Sequence, residues 1–133
     1  KEGILKRTTV GDTFTVTGDC TIESGGQIGY SNDETGATNF GNRLTIDSGG
    51  TLKATKGVTK MGAGSTFNDN GTYTHNNGTF AVEVGTVYVQ GDSETAFYDV
   101  ASAAGSGIGS MAIYILCKSV GPIKICYIYI RGI

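Results

Sequence analysis

Leu44-Thr45-Ile46-Asp47-Ser48-Gly49-Gly50-Thr51-Leu52 is the stretch on which the reading of the fold turns. Its pattern is Thr, apolar, Asp/Glu/Asn, small polar, Gly or Asn, Gly, any residue, apolar. The same pattern occurs in Thr21-Ile22-Glu23-Ser24-Gly25-Gly26-Gln27-Ile28 and in Thr66-Phe67-Asn68-Asp69-Asn70-Gly71-Thr72-Tyr73, with offsets of 24 and then 21 residues. A recurrence of that length is one coil of a repeat architecture. A finer period lies inside it, because Gly50, Gly57, Gly64, Gly71, Gly78 and Gly85 follow one another every seven residues. A coiled-coil heptad needs apolar a and d positions on good helix formers, whereas the fixed residue here is glycine. The unit therefore reads as a short strand closed by a tight turn, with Gly or Asn supplying a positive φ. Seven residues form one face of the coil, and three faces close it.

Alternation supports strands. Phe14-Thr15-Val16-Thr17, Thr79-Phe80-Ala81-Val82-Glu83-Val84 and Thr86-Val87-Tyr88-Val89-Gln90 place apolar and polar residues on opposite faces. Thr and Asn at equivalent places in successive coils are set to stack in ladders. The 22 glycines, the frequent Thr and the single Pro in 133 residues leave little material for helix. The expected fold is all-β: a Gly/Thr-rich β-solenoid of roughly four coils followed by a hydrophobic C-terminal β-hairpin.

Three segments follow from composition. Residues 1–100 form the solenoid body, and residues 101–110, with Gly105-Ser106-Gly107-Ile108-Gly109-Ser110, read as a linker. Residues 111–133 are dense in Ile and Tyr and are broken by Ser119-Val120-Gly121-Pro122, a hairpin signature. Two lysines, a central Gly-Pro and many β-branched residues argue against a membrane helix there. Both faces of the hairpin are apolar, so it must cap the solenoid or pair with a neighbouring subunit. The candidate assembly residues are Ile113, Ile115, Ile123, Ile125, Tyr127, Ile128, Tyr129 and Ile130.

Charge is distributed unevenly. Residues 1–99 hold twelve acids and seven bases, while Lys118, Lys124 and Arg131 are the only charges after them. An acidic body argues against nucleic acid as a partner, since phosphate binding needs clustered Lys and Arg. The basic tail is expected to meet the acidic body of a second copy. Cys20, Cys117 and Cys126 lack zinc-ligand spacing, and their odd number leaves at least one thiol free or paired between chains. The chain opens at Lys1 without Met or an apolar leader, which reads as a processed form or a fragment.

Individual motifs point to no catalytic chemistry. His75, the single histidine, has no Ser or Cys nucleophile and orienting acid at a recognisable spacing and reads as a turn or surface residue. Asp33-Glu34 and Asp92-Ser93-Glu94 are the acid clusters that a glycosidase would need to bring to one cleft, and they read instead as solvated turns. Asn68-Asp69-Asn70-Gly71 lacks the rest of a calcium loop. The glycosylation triplets Asn70-Gly71-Thr72 and Asn77-Gly78-Thr79 arise from the repeat itself. Tyr73, Tyr88, Tyr98, Tyr114, Tyr127 and Tyr129 suit core or subunit packing, with a surface for glycan as the less common use. No catalytic, cofactor-binding or metal-binding residue is assigned, and the chain is expected not to be an enzyme.

From Leu44 through Gly71-Thr72-Tyr73-Thr74-His75-Asn76-Asn77-Gly78-Thr79-Phe80 to Thr95-Ala96-Phe97-Tyr98-Asp99-Val100, the sequence resembles β-solenoid (parallel β-helix) regions of phage virion fibre or decoration proteins and of bacterial surface adhesins. The resemblance covers residues 8–100 and leaves 111–133 without a counterpart. It implies a virion or cell-surface setting and a homo-oligomer, often a trimer, or assembly with other virion or surface subunits. A fibre, spike or capsid decoration is the leading expectation and an adhesin or filament subunit the second. A polysaccharide-degrading enzyme on the same fold is the third, because fold does not set function.

Overall fold

A computed structural model of the chain describes residues 3–6, 11–29, 34–83, 85–102, 111–120 and 123–132. They form strands, turns and bends, with no helix among the described residues. After β1 (Ile4–Lys6) the first coil comprises β2 (Phe14–Val16), β3 (Cys20–Ile22) and β4 (Gln27–Gly29). The second comprises β5 (Thr38–Phe40), β6 (Leu44–Ile46) and β7 (Thr51–Lys53), and the third β8 (Val58–Met61), β9 (Thr66–Asp69) and β10 (Thr72–Thr74). A fourth begins with β11 (Thr79–Val82) and β12 (Gly85–Gln90), after which β13 (Asp99–Ser102) starts the next turn. The chain is thus a parallel β-solenoid of about four coils. β13 carries strand two residues into the stretch read as linker, and residues 103–110 lie outside the described residues.

Each coil is a triangle, because successive strands join three different sheets. One sheet runs β1-β4-β7-β10, a second β13-β11-β8-β5-β2, and a third continues from β3 through β6 and β9 to β12. The solenoid strands in all three pair in parallel. A strand of three or four residues offers only two or so side chains to the interior. Stability therefore depends on stacking: the columns Leu5–Ile28–Leu52–Tyr73, Cys20–Leu44–Phe67–Val89 and Val16–Phe40–Met61–Val82 follow from the strand registers. Leu44, Ile46, Phe67, Met61 and Val82 are fully buried. Each such side chain is worth about 1.5–3 kcal/mol, and none could be buried by a single coil alone.

The seven-residue glycine period marks the corners of the triangle. Gly50 and Gly71 precede strands of the first sheet, Gly57 and Gly78 precede strands of the second, and Gly64 lies in the corner leading to the third. Gly85 differs, being the first residue of β12 and opposed to Gly132. The cause of the period also differs from expectation. Among Gly50, Gly57, Gly64, Gly71 and Gly78, positive φ occurs only at Gly64. In the Gly-Gly and Asn-Gly pairs of two corners the positive φ belongs to the first member: Gly49 has φ 84° and Asn77 φ 59°. The second member is glycine because it passes directly over the preceding coil. A Cβ on Gly71 would lie 2.5 Å from the Asp47 carbonyl oxygen, and one on Gly78 would run into the Thr55 carbonyl.

The third coil departs from the repeat in its strand register. Gly26, Gly50 and Gly71 keep the 24 and 21 offsets, and so do Ile28, Leu52 and Tyr73. Thr45, however, pairs with Asn68 and not with Thr66, and Ile46 pairs with Asp69. Four residues separate β6 from β7, but only Asn70 and Gly71 separate β9 from β10, so the strand slides by two residues while the corner shortens. A slide of two preserves which face points inward. It also carries a carboxylate into the column of Ile22 and Ile46, where Asp69 is 0% exposed.

Candidate assembly edge

Several polar groups in the solenoid have a structural use. At four corners a side chain accepts the hydrogen bond of the backbone N–H two residues on, which satisfies a donor that the turn withdraws from the ladder. Glu34 Oε1 accepts from Gly36 at 3.0 Å, Thr55 Oγ1 from Gly57 at 3.1 Å, Asp69 Oδ1 from Gly71 at 3.2 Å and His75 Nδ1 from Asn77 at 2.9 Å. Glu34 is thus no solvated turn residue. It is buried, and its Oε1 also accepts from Gly11 N–H at 3.0 Å. Asp33 lies outside the described residues, while Asp92 and Glu94 are exposed at a different corner, where Asp92 N–H donates to the Asn70 side chain at 3.1 Å.

His75 opens the tight turn in which Gly78 N–H donates to its carbonyl at 2.9 Å, and its ring stacks on Tyr98 with centroids 5.6 Å apart. Among the described residues no three His, Cys, Asp or Glu side chains gather where a metal ion could be held, and no helix is long and apolar enough to cross a membrane. Cys20 is half-buried on β3, and burial pushes its thiol pKa up.

The two ends of the solenoid are built differently. At the C-terminal end residues 91–98 cross the last complete coil. Phe97 packs against Phe80 at 4.4 Å between ring centroids, against Tyr73 at 5.7 Å and against Phe67 at 6.3 Å. Thr95 Oγ1 donates to the second oxygen of Asp69 at 2.9 Å, and Ser93 N–H donates to the Asp69 carbonyl at 3.0 Å. The crossing segment is therefore anchored on the carboxylate that interrupts the aliphatic column. At the other end Ile4 and Leu5 are 57% and 49% exposed and line an open cleft of about 400 Å³ with Ile22 and Ile28.

The third sheet continues past the solenoid. β15 (Ile123–Gly132) pairs antiparallel with β12, setting Val87 opposite Ile130, Tyr88 opposite Tyr129 and Val89 opposite Ile128. β14 (Met111–Val120) then pairs antiparallel with β15. Among the described residues the sheet order is β14-β15-β12-β9-β6-β3, which leaves the ten-residue β14 at its margin.

Every candidate assembly residue lies on this hairpin, whose side chains are outside what the structure describes. Register nevertheless divides them between two faces. Ile113, Ile115, Ile128 and Ile130 share the face of Val87 and Val89. Ile123, Ile125, Tyr127 and Tyr129 share the face of Tyr88, as do Tyr114 and Leu116. β12 pairs only with residues 128–132, so the half of the hairpin nearer its turn projects past the end of β12. Antiparallel attachment of the hairpin to the parallel sheet was not foreseen from sequence. The Ser119-Val120-Gly121-Pro122 break in the sequence signals the hairpin but not its attachment to β12.

Compared with known protein families, curated proteins and solved structures, the chain matches none of them.

Proposed function

We propose that this chain is a structural element of a virion fibre, spike or capsid decoration, which assembles with copies of itself or with neighbouring subunits through its C-terminal hairpin. The reading rests on one observation. A rod of stacked parallel coils ends in an antiparallel hairpin that extends one of its three sheets and places ten residues of strand, with one charge, at the margin. A strand edge of that length offers a row of backbone donors and acceptors for strand addition by a partner. The solenoid body suits such a role, since its strand ladders run along the rod and give stiffness without a large core.

Light scattering on the full chain at several concentrations tests the assembly. A mass that stays at the 13.8 kDa of one chain at every concentration would overturn it. Genes for capsid and tail components beside the coding sequence would support a virion, and secretion genes there would favour the cell-surface adhesin or filament reading.

A further inference from the structure

We infer that Cys117 and Cys126 form a disulfide across the C-terminal hairpin and that Cys20 remains outside it. The β14–β15 register sets Cys117 directly opposite Cys126, two pairs beyond Ile115 and Ile128. Directly opposed residues of an antiparallel pair occupy the same face, with Cα atoms about 4.5–5.5 Å apart, inside the 4.4–6.8 Å range that disulfides span.

Sheet order removes the competing pairings within one chain. Cys20 lies on β3, at the opposite margin of the same sheet, four strand spacings from β15 and five from β14. At 4.7–4.9 Å per spacing that separation is about 19 Å or more, far beyond the reach of a disulfide. Burial also raises the Cys20 pKa, which lowers its thiolate fraction and its reactivity. The odd cysteine noted in the sequence is thereby accounted for.

Position gives the crosslink a mechanical role. The register of β15 on β12 ends at Ile128, so Cys126 lies in the half of the hairpin that β12 does not brace. A disulfide there ties the projecting half together and fixes the register of β14, the strand at the sheet margin.

The bond forms by thiol–disulfide exchange with a small-molecule disulfide such as oxidised glutathione. One protein thiolate attacks a glutathione sulfur and releases one glutathione thiolate. The second protein thiolate then attacks the mixed disulfide and releases the other. Two electrons pass from the cysteine pair to glutathione disulfide, and the two thiol protons end on the two glutathione molecules. Two paired strands only two residues apart along the chain give an effective concentration of millimolar order or above, which favours closure over a persisting mixed disulfide.

The test equilibrates the folded full chain with oxidised glutathione at about millimolar concentration, quenches with acid and maps the disulfides by peptide mass spectrometry without reductant. A peptide joining Cys117 to Cys126, together with unmodified Cys20, is the expected result. The same crosslink should form in Cys20→Ser. Under identical treatment Cys117→Ser should form no intrachain crosslink and should show a glutathione adduct on Cys126. Free thiols at both 117 and 126, an intrachain bond to Cys20, or chains joined to one another through these cysteines would each overturn the proposal.

Discussion

The two ends of the rod face the same problem, an interrupted stack of coils, and resolve it in opposite ways. At the C-terminal end the aliphatic column Ile22–Ile46 gives way to Asp69, and the crossing segment uses that carboxylate as an anchor and Phe97 as a plug. At the N-terminal end the column Leu5–Ile28–Leu52–Tyr73 simply continues until Leu5 is half exposed. The difference shows that a solenoid does not need its repeat to be preserved in order to end. At the covered end a buried acid holds the crossing segment in place, because its two oxygens reach both the corner and the cover.

The largest effect is expected inside the repeat, where neither end strategy applies. Gly78→Val would drive a side chain into the Thr55 carbonyl and the Gly57 backbone beneath it. Neither can move without breaking the coil below, so the cost should be about 3 kcal/mol or more. Gly64→Ala tests φ and not passage, because Gly64 has φ 73° and a Cβ there would meet nothing within 4 Å, and should cost about 1–2 kcal/mol. Denaturant titration of the two variants separates the causes. An equal and small loss in both would break the view that close passage between coils sets the glycine period.

Removing the plug comes next. Phe97 is only partly buried but touches three aromatic rings, so Phe97→Ala should cost about 2–3 kcal/mol, somewhat below the 3–5 of a fully buried ring. Asp69→Asn keeps the shape but loses the charge and one acceptor, and should cost about 1–2 kcal/mol. The two effects should be less than additive, since both act on one segment. Additive losses in the double variant would show that anchor and plug work separately.

The physical origin of these features decides which were legible in sequence. The corners were legible because each depends on a few contiguous residues, so Gly49-Gly50 and Asn77-Gly78 carry their own signal. The role within each pair was not, because close passage over the previous coil is a contact between residues about 21–24 apart along the chain. Asp69 was hidden for a related reason. Gly71 and Tyr73 hold the 21-residue offset, and the two-residue slide of β9 leaves the apolar alternation intact. The hairpin was legible from its break and its β-branched residues, whereas its attachment to β12 depends on pairing between distant segments.

Alkaline pH probes the covered end with a smaller effect. Burial, and secondarily the Asp69 carboxylate, push the Tyr73 hydroxyl well above the ordinary tyrosine range. The native state therefore keeps its proton where the unfolded chain loses it. Stability from this group is fully present below about pH 10 and declines as pH rises past it, by at most about 1.4 kcal/mol per pH unit. Tyr73→Phe should flatten that decline as followed by urea titration at pH 9, 10 and 11. An unchanged slope would remove Tyr73 from the covered core.

The smallest effect is expected at the open end, and its smallness is what sharpens the contrast. Leu5, Ile28 and Leu52 occupy one column at consecutive levels, with exposures of 49%, 8% and 1%. The side chain is of similar size at each level, so differences in the cost of truncation report burial and little else. Leu52→Ala removes contacts on both sides and leaves a cavity between coils, which should cost about 2–5 kcal/mol. Leu5→Ala removes a side chain already half in water with no coil beneath it among the described residues, and should stay within about 0.5 kcal/mol. Ile28→Ala should fall between them. The series is read from denaturant midpoints of the isolated full chain at one protein concentration. A Leu5→Ala loss as large as that of Leu52→Ala would mean that Leu5 is covered in solution, and the open cleft beside Ile22 and Ile28 would then be an interior surface of an assembly.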